Sequence, residues 1–502
     1  MTTSQNKSFD SSLPSSAPAN GTGRPMPAQQ YTQAKASTSP VQAVTNSRPR
    51  QEQAPLPAQA QPVRRKRLRM PVLIGLFLLM LLVGVGSILA SGFLNNSSGS
   101  GATGSGTVSG ETPNGAFIRL PLNSSQVNAI MHLTGYMKYK ALASLYVERM
   151  TLDEELGQLI MVEYSDGCLS ASGVCPGVSS YYEPDIDYMI HNLHAGGVIM
   201  YEFQMQNFNQ TKHDIELMQQ RAQIPLLIST DEEGGPYVHR LSHIFGYRMS
   251  ATDIYNTHNP NVATQQGLKA AHDLLSLGIN ENLAPDVDIN LVNGYDMVTR
   301  TFGNDAPSVI EYAGAYLQAL QGAGVVGCIK HFPGLGAAVP DAHATLPVVN
   351  RTRDQIFSTE LAPFKAFIQS PNSLLNPGMI MPTDVLMPAI DPVYPAELSH
   401  IFMTDILRKQ FGYDGVVLTD ALYMRGITEK WDMNTAAVMA LNAGNDMLLG
   451  PTGVDQMESM IQTLKAALQN GTLAKSRVDE AATRIIALKM EYHLMPAIPP
   501  QD

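Results

Sequence analysis

Gly415-Val416-Val417-Leu418-Thr419, with Asp420 directly after it, is the stretch on which the fold turns. The run is too short for a helix, rich in β-branched residues, and bounded by a glycine and a carboxylate, so it reads as a buried strand that ends in an acid. Seven other stretches share this build: Gln158–Glu163, Gly197–Tyr201, Pro225–Thr230, Glu281–Val287, Val325–Ile329, Gly378–Met381 and Asp446–Leu449. Between them lie segments of helical periodicity, among them Ile215–Gln223, Ala263–Gly278, Ser308–Ala323, Arg353–Ile368, Ser399–Phe411 and Asn434–Ala443. Eight strand–helix repeats predict an α/β fold, a parallel (β/α)8 barrel of the TIM type, with a doubly wound open sheet as the alternative.

In such a barrel the chemistry sits where strands give way to the following loops. The third run ends at Asp231, before Glu232-Glu233-Gly234-Gly235, and the fourth carries Asp286 and Asp288. The fifth ends at Lys330-His331, the sixth at Thr383-Asp384, the seventh at Asp420. A single acid after a strand reads as a backbone cap. Repetition over five strands gathers carboxylates, a lysine and a histidine at one mouth. That set suits glycosyl chemistry, in which one carboxylate attacks an anomeric carbon and others bind sugar hydroxyls.

Outward from the barrel the composition changes. Residues 1–62 are rich in Ser, Pro, Gln, Ala and Thr without apolar periodicity, and the tail through residue 70 is expected to be disordered. It closes on Arg64-Arg65-Lys66-Arg67-Leu68-Arg69, and Pro71 to Leu94 carry no charge. As a helix, residues 71–94 would reach about 36 Å, enough for a hydrocarbon core of about 30 Å. A cleaved signal peptide would lie nearer the N-terminus with a shorter apolar region. The basic run before the span predicts a cytoplasmic tail, a single-pass membrane anchor and an extracytoplasmic body. Residues 95–114 read as a Gly/Ser/Thr tether, and 115–502 as the barrel domain.

Residues 95–502 hold 23 basic and 42 acidic side chains, a net charge of −19, which excludes a nucleic-acid partner. Three cysteines exclude a disulfide scaffold and a four-cysteine zinc module. Outside the cytoplasm Cys168 and Cys175 are candidates to pair, whereas Cys328 lies in an apolar run and reads as core. His191 and His194 read as a helix face without a third ligand. No metal or cofactor is expected.

Several motifs carry a resemblance. Lys330-His331-Phe332-Pro333-Gly334-Leu335-Gly336, followed by Asp341-Ala342-His343, resembles the K-H-F-P-G-H-G…D-S-H signature of glycoside hydrolase family 3. Asp231-Glu232-Glu233-Gly234-Gly235 resembles its D-Q-E-G-G, Leu283 to Asp288 its F-A-P-V-V-D, and Arg300-Thr301-Phe302-Gly303 its R-S-F-G. Phe411 to Leu422 resembles F-G-F-D-G-V-V-I-S-D-D-L, and Ala443-Gly444-Asn445-Asp446 matches A-G-N-D. The matches run in family order from about Met150 to Leu494.

The resemblance implies a retaining exo-glycosidase with Asp420 as nucleophile. The chain runs about 80 residues beyond Asp420, so an acid/base from a second C-terminal domain is not expected. The single-domain bacterial β-N-acetylhexosaminidase branch is similar instead, and its Asp-x-His pair maps onto Asp341 and His343. By the same carry-over Asp231, Arg240, Arg300, Lys330 and His331 bind the sugar, Arg240 across one extra residue. The implied activity is removal of terminal β-N-acetylglucosamine from cell-wall or chitin-derived glycans. The alternatives are a β-glucosidase or phosphorolytic relative, and an inactive sugar-binding wall sensor. Three departures bear on rate and preference: Leu335 stands for the His of P-G-H-G, Ala337 for a polar residue, and Thr383-Asp384 for an Ala-His.

Overall fold

Among the described residues there are ten strands: β1 (Ile160–Glu163), β2 (Gly197–Ile199), β3 (Leu227–Thr230), β4 (Glu232–Gly234), β5 (Val238–His239), β6 (Glu281–Asn282), β7 (Val326–Phe332), β8 (Met379–Pro382), β9 (Val416–Ala421) and β10 (Met447–Leu449). All but β4 and β5 form one closed parallel barrel in the order β1-β10-β9-β8-β7-β6-β3-β2. Closure is made where Ile160 and Met161 of β1 pair with Leu448 and Leu449 of β10. The structure is a computed structural model and describes residues 130, 132–163, 182–292, 297–338 and 346–497. The expected tail (1–70), membrane span (71–94) and tether (95–114), the cysteines Cys168 and Cys175, and the pair Asp341 and His343 lie outside the described residues. Among the described residues no helix is long and apolar enough to cross a membrane.

Each of the eight expected runs overlaps one barrel strand, with β7, β8 and β9 running past the expected ends, and the closed order rules out the open sheet. Helices fill the intervals. The principal ones are α1 (Tyr136–Val147), α2 (Leu152–Gln158), α3 (Pro184–His191), α4 (Phe208–Arg221), α5 (Pro260–Leu277), α6 (Ala306–Gly322), α7 (Arg353–Ser358), α8 (Ala362–Ile368), α9 (Ile401–Gln410, a π-helix), α10 (Met433–Ala443), α11 (Val454–Gln469) and α12 (Lys475–Glu491). Their ends follow local rules. Asn259 caps α5 ahead of a proline in its first turn, and Gly278 ends it in the left-handed region. Asp305 caps α6 in the same way, accepting from the Ser308 amide at 2.8 Å. α5 and α6 pack closely because Gly267 has no side chain: a Cβ there would lie 2.5 Å from the Tyr316 carbonyl oxygen.

The structure corrects four readings. The single helix expected over Arg353–Ile368 is two, because Pro363 has no amide hydrogen for an unbroken helix and starts α8 instead. The strand expected over Glu281–Val287 pairs only at Glu281 and Asn282, and the chain beyond turns Asp286 and Asp288 into the mouth around a cis Ala284–Pro285 bond. His194 lies past the end of α3 with φ of 59°, so it shares no helix face with His191. A β-hairpin, β4 pairing antiparallel with β5, follows β3 where only a loop was expected. Cys328 is fully buried in β7, as its apolar setting suggests.

Candidate active site

The residues at the C-terminal ends of β3, β7 and the segment after β6 meet in one buried ionic network. Lys330 donates to Asp231 Oδ1 at 2.6 Å and lies 2.8 Å from Glu233 Oε1. Arg300 reaches the same Glu233 with two parallel bonds, Nε to Oε2 at 2.9 Å and Nη2 to Oε1 at 2.8 Å. Fork-to-fork pairing of this kind fixes the guanidinium plane as well as its position. Burial alone would raise the Glu233 carboxyl, but Arg300 and Lys330 outweigh it and hold the group well below the usual carboxylate range.

His331, also buried, stands beside Arg300. Its Nδ1 is 2.7 Å from Asp288 Oδ2, and its Nε2 is 3.4 Å from Arg300 Nη2. Burial lowers its pKa to about 4, with Asp286 working against the shift and Arg300 and Lys330 adding to it. The ring is therefore neutral near pH 7. The Asp288 acceptor places its proton on Nδ1 and leaves Nε2 a lone pair toward Arg300. Asp288 Oδ1 accepts from the Leu335 amide at 2.6 Å, which ties the loop after β7 to the same carboxylate. The Lys330–His331 peptide bond is cis.

Asp420 occupies the end of β9 and is half-buried. Its Oδ1 accepts from the Ala421 amide at 2.8 Å and its Oδ2 from the Thr383 hydroxyl at 2.9 Å. Two donors on a carboxylate hold it in one orientation. Arg240, at the end of the β4–β5 hairpin, is not part of the network around Glu233. Its guanidinium lies over the Tyr201 ring, 5.7 Å from the centroid, at the rim beyond β2.

Five of the sequence-derived residues, Asp231, Arg300, Lys330, His331 and Asp420, thus stand at one end of the barrel, with Arg240 on its rim. Three others matter that were not singled out. Glu233 is the common partner of Arg300 and Lys330, and its place two residues after Asp231 was the only sequence signal. Glu232, the middle acid, is structural: its carboxylate lies 2.5 Å from His239 Nδ1 and accepts from the Leu241 amide, clamping the hairpin. Thr383, read as a departure, is the hydroxyl that positions Asp420. Leu335 and Ala337 are half-buried against the core, so the loop after β7 is anchored by apolar contacts where the family signature has polar groups.

Asp286, Asp288 and His331 are the described residues placed to share a cation, with ligand atoms within 4.8 Å of one another. Their surroundings fit it poorly. Arg300 Nε is 3.8 Å from Asp286 Oδ2, and both Asp288 oxygens already accept hydrogen bonds. The group is a hydrogen-bonded support for His331.

Comparison with known proteins agrees with this geometry. Residues 151–488 match the model of the glycosyl hydrolase family 3 N-terminal domain. The chain is 31% identical over 373 residues to beta-hexosaminidase A of Pseudoalteromonas piscicida, covering 68% of this chain and 61% of that protein. It is 31% identical over 301 residues to a beta-hexosaminidase of Methylobacillus flagellatus, covering 58% of this chain and 83% of that one. Among solved structures it resembles the family 3 beta-N-acetylglucosaminidase of Paenibacillus sp. str. FPU-7, with a TM-score of 0.62 and 30% identity, over 69% of this chain and 63% of that one. The match to the first and third of these thus spans under two thirds of their own length. The barrel, the ordered motifs and the matched span together place the chain: it belongs to glycosyl hydrolase family 3.

Proposed function

We propose that the protein is a retaining exo-glycosidase that removes terminal β-N-acetylglucosamine from glycans, through a covalent glycosyl–Asp420 intermediate. The observation that carries this reading is the placement of Asp420, oriented by Thr383 and its own neighbouring amide, at the same barrel end as the Asp231–Lys330–Glu233–Arg300–His331 network. The beta-hexosaminidases among its relatives support the choice of sugar.

The chemistry follows from the parts. Asp231 accepts hydrogen bonds from sugar hydroxyls while Lys330 and Arg300 donate them. Asp420 attacks the anomeric carbon, and the glycosidic bond to the leaving oxygen breaks. His343, oriented by Asp341, gives that oxygen its proton, then takes one from the water that cleaves the ester. The acid/base roles of Asp341 and His343 rest on the sequence motif. We further propose that residues 71–94 anchor the protein in a membrane with the barrel outside and the tail inside, which makes wall fragments its substrate. Protease added to intact cells then sheds the barrel; protection would overturn that topology.

The activity is tested with the full-length chain in detergent, on the nitrophenyl β-N-acetylglucosaminide and the β-glucoside side by side. Turnover of the acetamido sugar, reduced at least ~10³-fold in Asp420→Asn, is the expected result. Turnover of the glucoside alone moves the substrate, and sugar phosphate as product makes the enzyme a phosphorylase. Binding without turnover of either substrate would overturn the reading.

A further inference from the structure

The network around Glu233 lies on one side of the mouth; on the other, beneath Asp420, is a second group of acids that the mechanism above does not use. Asp384 follows Thr383 at the end of β8, and Glu397 follows 13 residues later in a single turn of 3-10 helix, Ala396–Leu398. Both are completely shielded from solvent. Thr383 links them to the nucleophile: its hydroxyl donates to Asp420 Oδ2 and lies 3.4 Å from Asp384 Oδ1. The fit around Asp384 is close, since a Cβ on Gly426 would fall 1.9 Å from Asp384 Oδ2. Neither carboxyl oxygen of Glu397 has a well-aligned hydrogen-bond donor.

A fully buried carboxyl with no hydrogen-bond donor, set near two other acids, favours its neutral form. Asp420 is the one in contact with solvent and holds two donors. Glu397 is the one with neither. Burial, then Asp384, then Asp420 raise its pKa well above the ordinary carboxylate value; the Asp420 amide, which approaches without forming a good bond, pulls weakly the other way. Among the described residues no cation offsets this. Beside the ends of β8 and β9, the 3-10 turn that carries Glu397 packs chiefly against α9 and α10. α10 has no ionisable side chain. On α9, Arg408 is taken by Asp446, and Lys409 pairs with Asp405 at the surface. Asn445, after α10, donates only to the Glu397 backbone carbonyl and that of Ala440.

We propose that Glu397 is a positioning residue for the nucleophile: it retains a proton and so adds no charge beneath Asp420, which carries the charge that attacks. Loss of that proton would put a further negative charge beneath Asp420, drive it off its bond to Thr383 and stop the first step. The proposal rests on Asp420 being the nucleophile.

The test uses four full-length proteins, wild type, E397Q, E397A and D384N. Infrared difference spectra, wild type minus E397Q, should show the carbonyl stretch of one protonated carboxyl at about pH 7, where exposed carboxyls are ionised. Rates are measured on the nitrophenyl glycoside, whose leaving group departs without protonation, so that titration of His343 does not mask the alkaline limb. E397Q, a neutral isostere, should stay within about threefold of wild type near pH 7, while E397A loses roughly tenfold or more. The alkaline loss of activity should titrate together with the infrared band. It should be absent in E397Q and move to lower pH in D384N, where the neighbouring charge is gone.

A missing band, a band and rate that titrate apart, or an E397Q limb identical to wild type would each overturn the proposal. A wild type with the band but no turnover of any aryl glycoside would instead overturn the hydrolase reading and leave the charge assignment standing.

Discussion

Glu233 and Asp286 are two buried acids beside one guanidinium, Arg300, and they end in opposite states. Glu233 takes both parallel N–H bonds of Arg300 and a contact from Lys330, and stays ionised. Asp286 has Arg300 Nε at 3.8 Å and no hydrogen bond on Oδ2, so burial, and Asp288 after it, push its pKa up to about 8. An acid raised in the folded state holds a proton that the unfolded chain has released. Stability from this group therefore falls as pH rises from about 4 to about 8. Asp286→Asn removes that slope, so urea unfolding at pH 5 and pH 8 should show the variant gaining on wild type at the higher pH. Glu233→Gln acts the other way. It leaves Lys330 and Arg300 buried with half their compensation, and should cost ~3–5 kcal/mol of stability and raise KM for the sugar. A Glu233→Gln protein with unchanged melting temperature and KM would show that the carboxylate is dispensable. Sequence pattern named Arg300 and Lys330 but not Glu233, because which acid of Asp231-Glu232-Glu233 meets a cation depends on how the β4–β5 hairpin turns each side chain.

At the level of the element, the helix α12 shows what a pattern leaves out. It carries Lys489, a residue type that belongs outside, yet Lys489 is fully buried. Its ammonium donates to Gln158 Oε1 at 2.7 Å and to the Gly196 carbonyl at 2.9 Å, fastening α12 under β1 and β2. Burial lowers its pKa to about 7, against the pull of Glu281. A depressed lysine contributes stability that is present above about 10.5 and lost as pH falls to about 7. Wild type should therefore gain stability from this group between about pH 7 and pH 10, and Lys489→Met should lack that gain in chemical unfolding at the two pH values. Equal slopes would place the proton elsewhere. The barrel strands, by contrast, were legible in place though not in every end: β6 is shorter and β7 longer than expected. A short run buried on every side is mostly apolar, and that signal survives without tertiary knowledge.

For the whole molecule, one buried aspartate ties the last barrel strands to the helices outside them. Asp446, just before β10, is bound by Arg408 of α9 and by Arg477 and Arg484 of α12, and accepts from the Val417 amide of β9. Burial works against its ionisation, but the three guanidinium groups hold its pKa down to about 2. Asp446→Ala would leave Arg408 without a carboxylate partner among the described residues and take one partner each from Arg477 and Arg484, which keep Glu480 and, for Arg484, Asp414. It should lower unfolding stability by ~3–5 kcal/mol, read as a fall in melting temperature with no change in KM of the protein that remains folded. A change in KM at unaltered stability would assign Asp446 to the site instead. The Ala443-Gly444-Asn445-Asp446 motif is thus a clamp on the scaffold, which its sequence match alone did not distinguish from a binding motif. Alternation of apolar runs and amphipathic helices by itself determined an α/β fold of eight strand–helix repeats, and the polar residues ending five of the runs pointed to one face. Both depend only on the order of residues along the chain. Closure of the barrel, the partner of each charge, the break at Pro363, the hairpin after Asp231 and the burial of Glu397 beneath Asp420 were decided by the tertiary structure. Burial and ion pairing depend on distances between residues far apart in sequence, and those distances exist only once the barrel has closed.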